Sequence, residues 1–176
     1  PARHRPGKRF RIGRHSRDEL VKHHPEDPSL YKMLAWNDIE ISLMGGTSLR
    51  ASIDGTPNIS LLSMGTFPPE DFLGNLDTFF YRTSPAFPEP SGRVVIEAMA
   101  SGLPVLAQEQ GGYSQWIDNG KSGQLFTRQE EAYDQLITWQ KSPEHRKSIG
   151  KAARMAAEKI CGDTARSDYL NWIMKT

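Results

Sequence analysis

An α/β fold, with one parallel sheet and helices on both faces, is predicted by three observations. Short apolar runs alternate with helix-length segments along most of the chain, the order that a parallel sheet requires. Glycine, hydroxyl-bearing, basic or acidic residues follow the ends of several of those runs (Arg14, Gly45-Gly46, Thr66, Ser84, Glu89), where such sheets bind ligands. The 176 residues suffice for one domain with a real core.

In chain order, a strand is expected near residues 10–13, followed by a basic loop. A helix follows near 29–35, a strand near 39–44, a short helix near 49–53 and a strand near 59–63. Pro69 opens a short helix that runs to about Gly74, and Thr78–Tyr81 is the next apolar strand. A helix near 92–101, a strand near 103–107 and a short strand near 124–126 continue the alternation. Helices near 128–140, 143–159 and 164–174 close the chain. There is no internal repeat and no low-complexity segment.

Residues 89–112 carry the strongest chemical signal. Pro90 and Gly92 rule out a continuous helix from Glu89, because proline lacks an N–H and holds its predecessor extended. Glu89 therefore belongs to a loop, and the helix after it starts near Gly92, with Ser91 as the expected cap. A helix start presents free amides and partial positive charge, which suit phosphate or sugar oxygens. Glu97 lies more than one turn further on, among Val94, Val95, Ile96, Ala98 and Met99. Its carboxylate is expected to be buried and to need donors. The spacing of the two glutamates is weak evidence alone; the loop, helix, strand and Gly111-Gly112 turn around them strengthen it.

This segment, EPSGRVVIEAMASGLPV, resembles the donor-binding signature of group-1 glycosyltransferases of the two-domain GT-B architecture, commonly E-G-F-G-x-x-x-x-E-A-M-A-x-G-x-P-V. Both glutamates, Gly92, the EAMA stretch, Gly102 and Pro104 match, whereas Pro90 and Ser91 depart from the usual small and aromatic residues. A second stretch, residues 10–22, resembles the family's first strand in this domain, ending in Gly-Arg with a lysine several residues later. The resemblance covers nearly all of the chain after Lys8. It implies a Rossmann-like fold and the C-terminal, donor-binding half of an enzyme whose N-terminal acceptor-binding domain is missing from this chain. Residues 1–9 would be a linker remnant, and the last helix would cross back toward the partner domain.

The resemblance also implies roles. Arg14 and Lys22 would face the donor diphosphate, with Arg17 as an extra cation; Glu89 would hold sugar hydroxyls and Glu97 the ribose diol. Amides near Gly92 and Arg93 would add donors, and Gly45-Gly46 and the backbone around Thr66 would approach the nucleotide. For Gly45-Gly46, a plain turn is an equal alternative; Gly111-Gly112 either approach the sugar, the reading we favour, or make room for Glu89. The expected donor is a uridine or guanosine diphosphate sugar, with retention at the anomeric carbon and no metal or other cofactor.

Composition narrows the classes. With 22 Lys+Arg against 21 Asp+Glu, no broad basic field points to nucleic acid; the basic head Arg3, Arg5, Lys8, Arg9 is local. A single cysteine, Cys161, precludes an intrachain disulfide, and no signal peptide or membrane span is visible, so a cytoplasmic setting is expected. His23-His24 have no metal-ligand partner at a recognisable spacing. The apolar stripe Tyr169, Leu170, Trp172, Ile173 suggests weak self-association. Two other classes remain open: a glycoside hydrolase using Glu89 and Glu97, and a nucleotide-binding domain without chemistry.

Overall fold

The computed structural model describes residues 9–163. The expected linker remnant up to residue 8 and the expected last helix, with its Tyr169, Leu170, Trp172, Ile173 stripe, lie outside the described residues. Six strands form one parallel sheet: β1 (Arg11–His15), β2 (Glu40–Met44), β3 (Ile59–Leu62), β4 (Thr78–Tyr81), β5 (Val105–Gln108) and β6 (Gln124–Phe126). Their spatial order is β3-β2-β1-β4-β5-β6, the Rossmann order, in which the winding direction reverses between β1 and β4.

Helices cover both faces, as expected. On one face α1 (Asp27–Trp36), α2 (Arg50–Ile53) and α5 (Gln129–Lys141) set Leu30, Leu34, Ile53, Leu136 and Trp139 against Ile12, Ile41, Leu43, Phe80 and Leu106. On the other, α3 (Pro69–Leu73), α4 (Arg93–Ala100) and α6 (Pro143–Cys161) pack Phe72, Val95, Ala98, Met99 and Ala153 against Phe79, Tyr81, Val105 and Ala107. Every residue of β4 and β5 is buried, as covering both sides demands. Burial of each Leu- or Phe-sized side chain contributes roughly 1.5–3 kcal/mol, so the two cores together hold the sheet between its helix layers.

Two differences from the expected elements matter for the site. β1 runs two residues further than expected because its pairing with β2 continues to His15 opposite Met44. Arg14 and His15 therefore belong to the sheet rather than to the basic loop expected after it, and both are buried. The residues after them include a one-turn 3-10 helix, Leu20–Lys22, too short to leave a periodic signal.

Candidate active site

The reversal between β1 and β4 opens a crevice at the strand carboxyl ends, and the loops leaving these two strands bring Lys22 and Glu89 together. The one-turn helix directs Lys22 inward, where its Nζ donates to Glu89 Oε2 at 2.8 Å and lies 3.9 Å from the Phe87 ring centre. Only 9% of the Lys22 side chain and 11% of the Glu89 side chain are exposed, so this pair is largely removed from water. The Tyr81 hydroxyl, at the end of β4, donates to the same oxygen at 2.9 Å, while the Gly92 amide reaches Oε1 at 3.3 Å. Burial pushes the Glu89 carboxyl up, but Lys22, Tyr81 and the Gly92 amide more than offset that and hold it below its ordinary value.

Glu89 sits in a loop, as expected. Ser91 does not cap the helix: Gly92 does, with φ +60° and ψ +49°, and no side chain bonds the helix start. That left-handed geometry favours glycine, and a Cβ there would also meet the Tyr113 ring at 2.5 Å. Glu97 departs from the expected deep burial, because Val94 and Ile96 beside it are themselves only partly covered. Its side chain is 32% exposed and paired with Arg93 Nε at 3.1 Å, and His15 Nε2 lies 3.4 Å from it.

Arg14 is wholly buried. Its Nη1 donates to the Arg82 carbonyl, and its guanidinium carbon lies 4.4 Å from the centre of the Tyr81 ring. Among the described residues no carboxylate lies within ion-pair distance of it. The Arg82 guanidinium is held in turn by Asp27, Nε to Oδ1 at 2.5 Å, and by Gln129 Oε1 at 3.0 Å.

Ser16, Arg17, Lys22, Tyr81, Glu89, Ser91, Gly92, Arg93 and Val94 enclose a cavity of about 360 Å³. Of the residues named from sequence, Lys22, Glu89, Ser91, Gly92, Arg93 and the extra cation Arg17 line it. Two somewhat larger cavities have less suitable walls: one, of about 440 Å³, offers His23 and His24 as its only titratable groups. The other, of about 420 Å³, lies along the β2–β3 edge, where Arg11 and Glu40 already satisfy each other.

The glycines behave differently from one another. The Gly112 amide donates to the Glu89 carbonyl at 2.9 Å and is therefore committed to the protein; a Cβ at Gly112 would stand 1.8 Å from the Pro90 carbonyl oxygen. Gly112 thus makes room for the Glu89 loop, and Gly111 makes room for the Tyr113 ring. Gly45 and Gly46 both donate to the Leu62 carbonyl, and Gly45 packs against the backbone of Ser16. Thr66 is exposed, its hydroxyl bonded to the Ser63 carbonyl at 2.7 Å, and it does not line the cavity. Tyr81, Ser16 and Val94 were missed from sequence; a tyrosine closing a strand that ends beside a functional loop is the one signal that pointed to any of them.

Two histidines flank the crevice as neutral groups. Burial, then the nearby Arg14 charge, lowers His15 and His23 to about 4, with Arg93 adding to the effect on His15. His23 Nε2 lies 3.0 Å from the Gly45 carbonyl oxygen and donates to it in the neutral tautomer that carries its proton there. Both pKa values are depressed from 6.5, so the unfolded chain binds more protons between these limits. This stabilisation is complete above pH 6.5 and is lost as the pH falls toward 4. We expect a loss of roughly 1–2 kcal/mol per histidine by about pH 5, read by urea unfolding across that range, with a shallower slope in His23→Asn.

Fold and crevice define a Rossmann-like α/β domain with a polar cavity at the point where the sheet reverses direction. Residues 64–156 match the family described as glycosyl transferases group 1, and the chain belongs to that family. The sulfoquinovosyl transferase SQD2 of Arabidopsis thaliana is 38% identical over 120 residues, which cover 60% of this chain and 24% of that protein. A probable sucrose-phosphate synthase of Thermosipho melanesiensis is 34% identical over 87 residues, covering 49% of this chain and 20% of the relative. Anabaena Alr3699/HepE, solved in complex with UDP-glucose, superposes with a TM-score of 0.78 at 20% identity over 96% of this chain and 49% of that one. A glycosyltransferase of Rickettsia africae gives 0.77 at 20% identity, covering 94% of this chain and 47% of that one. The fold is that of the C-terminal domains of GT-B glycosyltransferases, and the chain spans about half the length of these solved structures.

Proposed function

We propose that this chain is the donor-binding domain of a retaining glycosyltransferase, which moves a sugar from a nucleoside diphosphate sugar to an acceptor held largely by a further, N-terminal domain. The carrying observation is the convergence of Lys22, Glu89 and the start of α4 at the point where the sheet reverses direction. Lys22 and Arg14 supply positive charge as the diphosphate leaves, and the amides at the start of α4 add donors without a metal. Glu89, held ionised by its neighbours, accepts from sugar hydroxyls. Glu97, still open to solvent on one side, accepts from the ribose diol. The same ionised state suits Glu89 poorly to the proton-donating role that a glycoside hydrolase requires of one carboxyl group.

The UDP-glucose complex of Anabaena Alr3699/HepE makes uridine the first base to try. Calorimetry with uridine, guanosine and adenosine diphosphates and their glucose conjugates should find one base that binds this chain. Glu97→Ala should weaken that nucleotide about tenfold to a hundredfold, the effect of one lost charged hydrogen bond. Identical nucleotide affinity in the two proteins would remove the ribose role. No binding by any of the three bases would overturn the donor reading. Retention is read separately, from the anomeric configuration of product made by an enzyme that also carries the N-terminal domain.

A further inference from the structure

Tyr81 lines the cavity, and the proposed roles give it no task. Tyr81 ends β4 with its ring buried, and three neighbours fix that ring. Phe79 stacks parallel at 6.0 Å, Tyr113 meets it edge-on at 5.3 Å, and the Arg14 guanidinium lies 4.4 Å from the ring centre. Its hydroxyl is consequently a donor with little freedom, and it is spent on Glu89 Oε2. Lys22 donates to the same oxygen from a flexible four-carbon stem. Oε1 keeps only the longer Gly92 contact and retains capacity for another donor.

We propose that Tyr81 is a positioning residue that keeps the Glu89 carboxylate aimed into the cavity when Lys22 turns from Glu89 toward the donor diphosphate. This rests on the donor reading given above. The Lys22 ammonium on the cavity wall is committed to a carboxylate, so a diphosphate would compete with Glu89 for it. A carboxylate that loses its cation while 11% exposed would reorient toward water unless a second anchored donor remained. The phenol is that donor. It carries no charge, so it does not compete for the phosphates.

The test is Tyr81→Phe in this chain, with Tyr133→Phe as control, since the Tyr133 hydroxyl bonds Asn37 on α1's far end. Affinity for UDP should stay within about twofold, while the added affinity conferred by the sugar of UDP-glucose falls about tenfold. Carbon-13 NMR titration of the Glu89 carboxyl, assigned by its disappearance in Glu89→Gln, needs no ligand. Its midpoint should rise in Tyr81→Phe and stay put in Tyr133→Phe. Equal weakening of UDP and UDP-glucose would reduce Tyr81 to a structural role and overturn the proposal. An unmoved Glu89 midpoint would overturn it as well. If neither ligand binds the unmodified chain, the same comparison is made with the nucleotide and sugar conjugate found by the base screen. Failure of that whole screen overturns the donor reading, and Tyr81's part in it, however the NMR titration turns out.

Discussion

Asp27→Ala should destabilise the domain by about 3–5 kcal/mol, because it strips the charge partner from a buried guanidinium. Asp27 is fully buried and the Arg82 side chain is 2% exposed, so water cannot replace the lost carboxylate. Glu26, at 3.5 Å from Arg82 Nη1, is 57% exposed and compensates weakly. For a domain of this size the loss corresponds to a fall in melting temperature of about 6–20 °C, measurable by calorimetry. The damage should also reach the crevice, since the Arg82 carbonyl is what Arg14 donates to. A melting temperature within about 2 °C of the parent would mean that Arg82 finds another counter-charge.

Gly112→Ala should weaken donor binding about tenfold to a hundredfold, the scale of losing the charged hydrogen bonds that Glu89 would make to the sugar. The methyl group would stand 1.8 Å from the Pro90 carbonyl oxygen, and both partners are backbone, so no rotamer change relieves the overlap. The 89–92 loop must shift and take Glu89 away from Lys22 and Tyr81. Ser91→Ala is the informative companion: its side chain caps nothing, and it should leave stability within about 0.5 kcal/mol. Calorimetric titration of both proteins with the donor nucleotide sugar checks the pair, and an unaltered affinity in Gly112→Ala would show that the loop yields without disturbing Glu89.

The sheet and its helices were legible because alternating apolar runs and helix-length segments have few other ways to pack. Glu89 was legible as a loop residue because Pro90 forbids the alternative. What escaped was whatever depends on a contact between distant segments. Arg14 reads as the start of a basic loop, yet pairing with β2 draws it into the sheet. Lys22 and Glu89 are 67 residues apart, and nothing local announces that each is the other's partner. The cap was misread because Gly92, with its positive φ, takes the cap position itself and no side chain bonds the helix start. Glu97 was expected to be buried because its neighbours are apolar, but the eight-residue helix that covers this part of the sheet face leaves one flank, with Val94, Ile96 and Glu97, only partly covered.

The outer strands carry a consequence of their own. The sheet ends in β3 and β6, of four and three residues, and among the described residues neither has a neighbour on its outer side. Ile59–Leu62 bears no charge and no proline to repel an incoming chain. Brevity is the remaining safeguard: so few free amides and carbonyls give a foreign strand little to grip, and accretion along the rim stalls before it begins. Lengthening either border by a few apolar residues would remove that protection and leave the domain prone to stacking edge to edge.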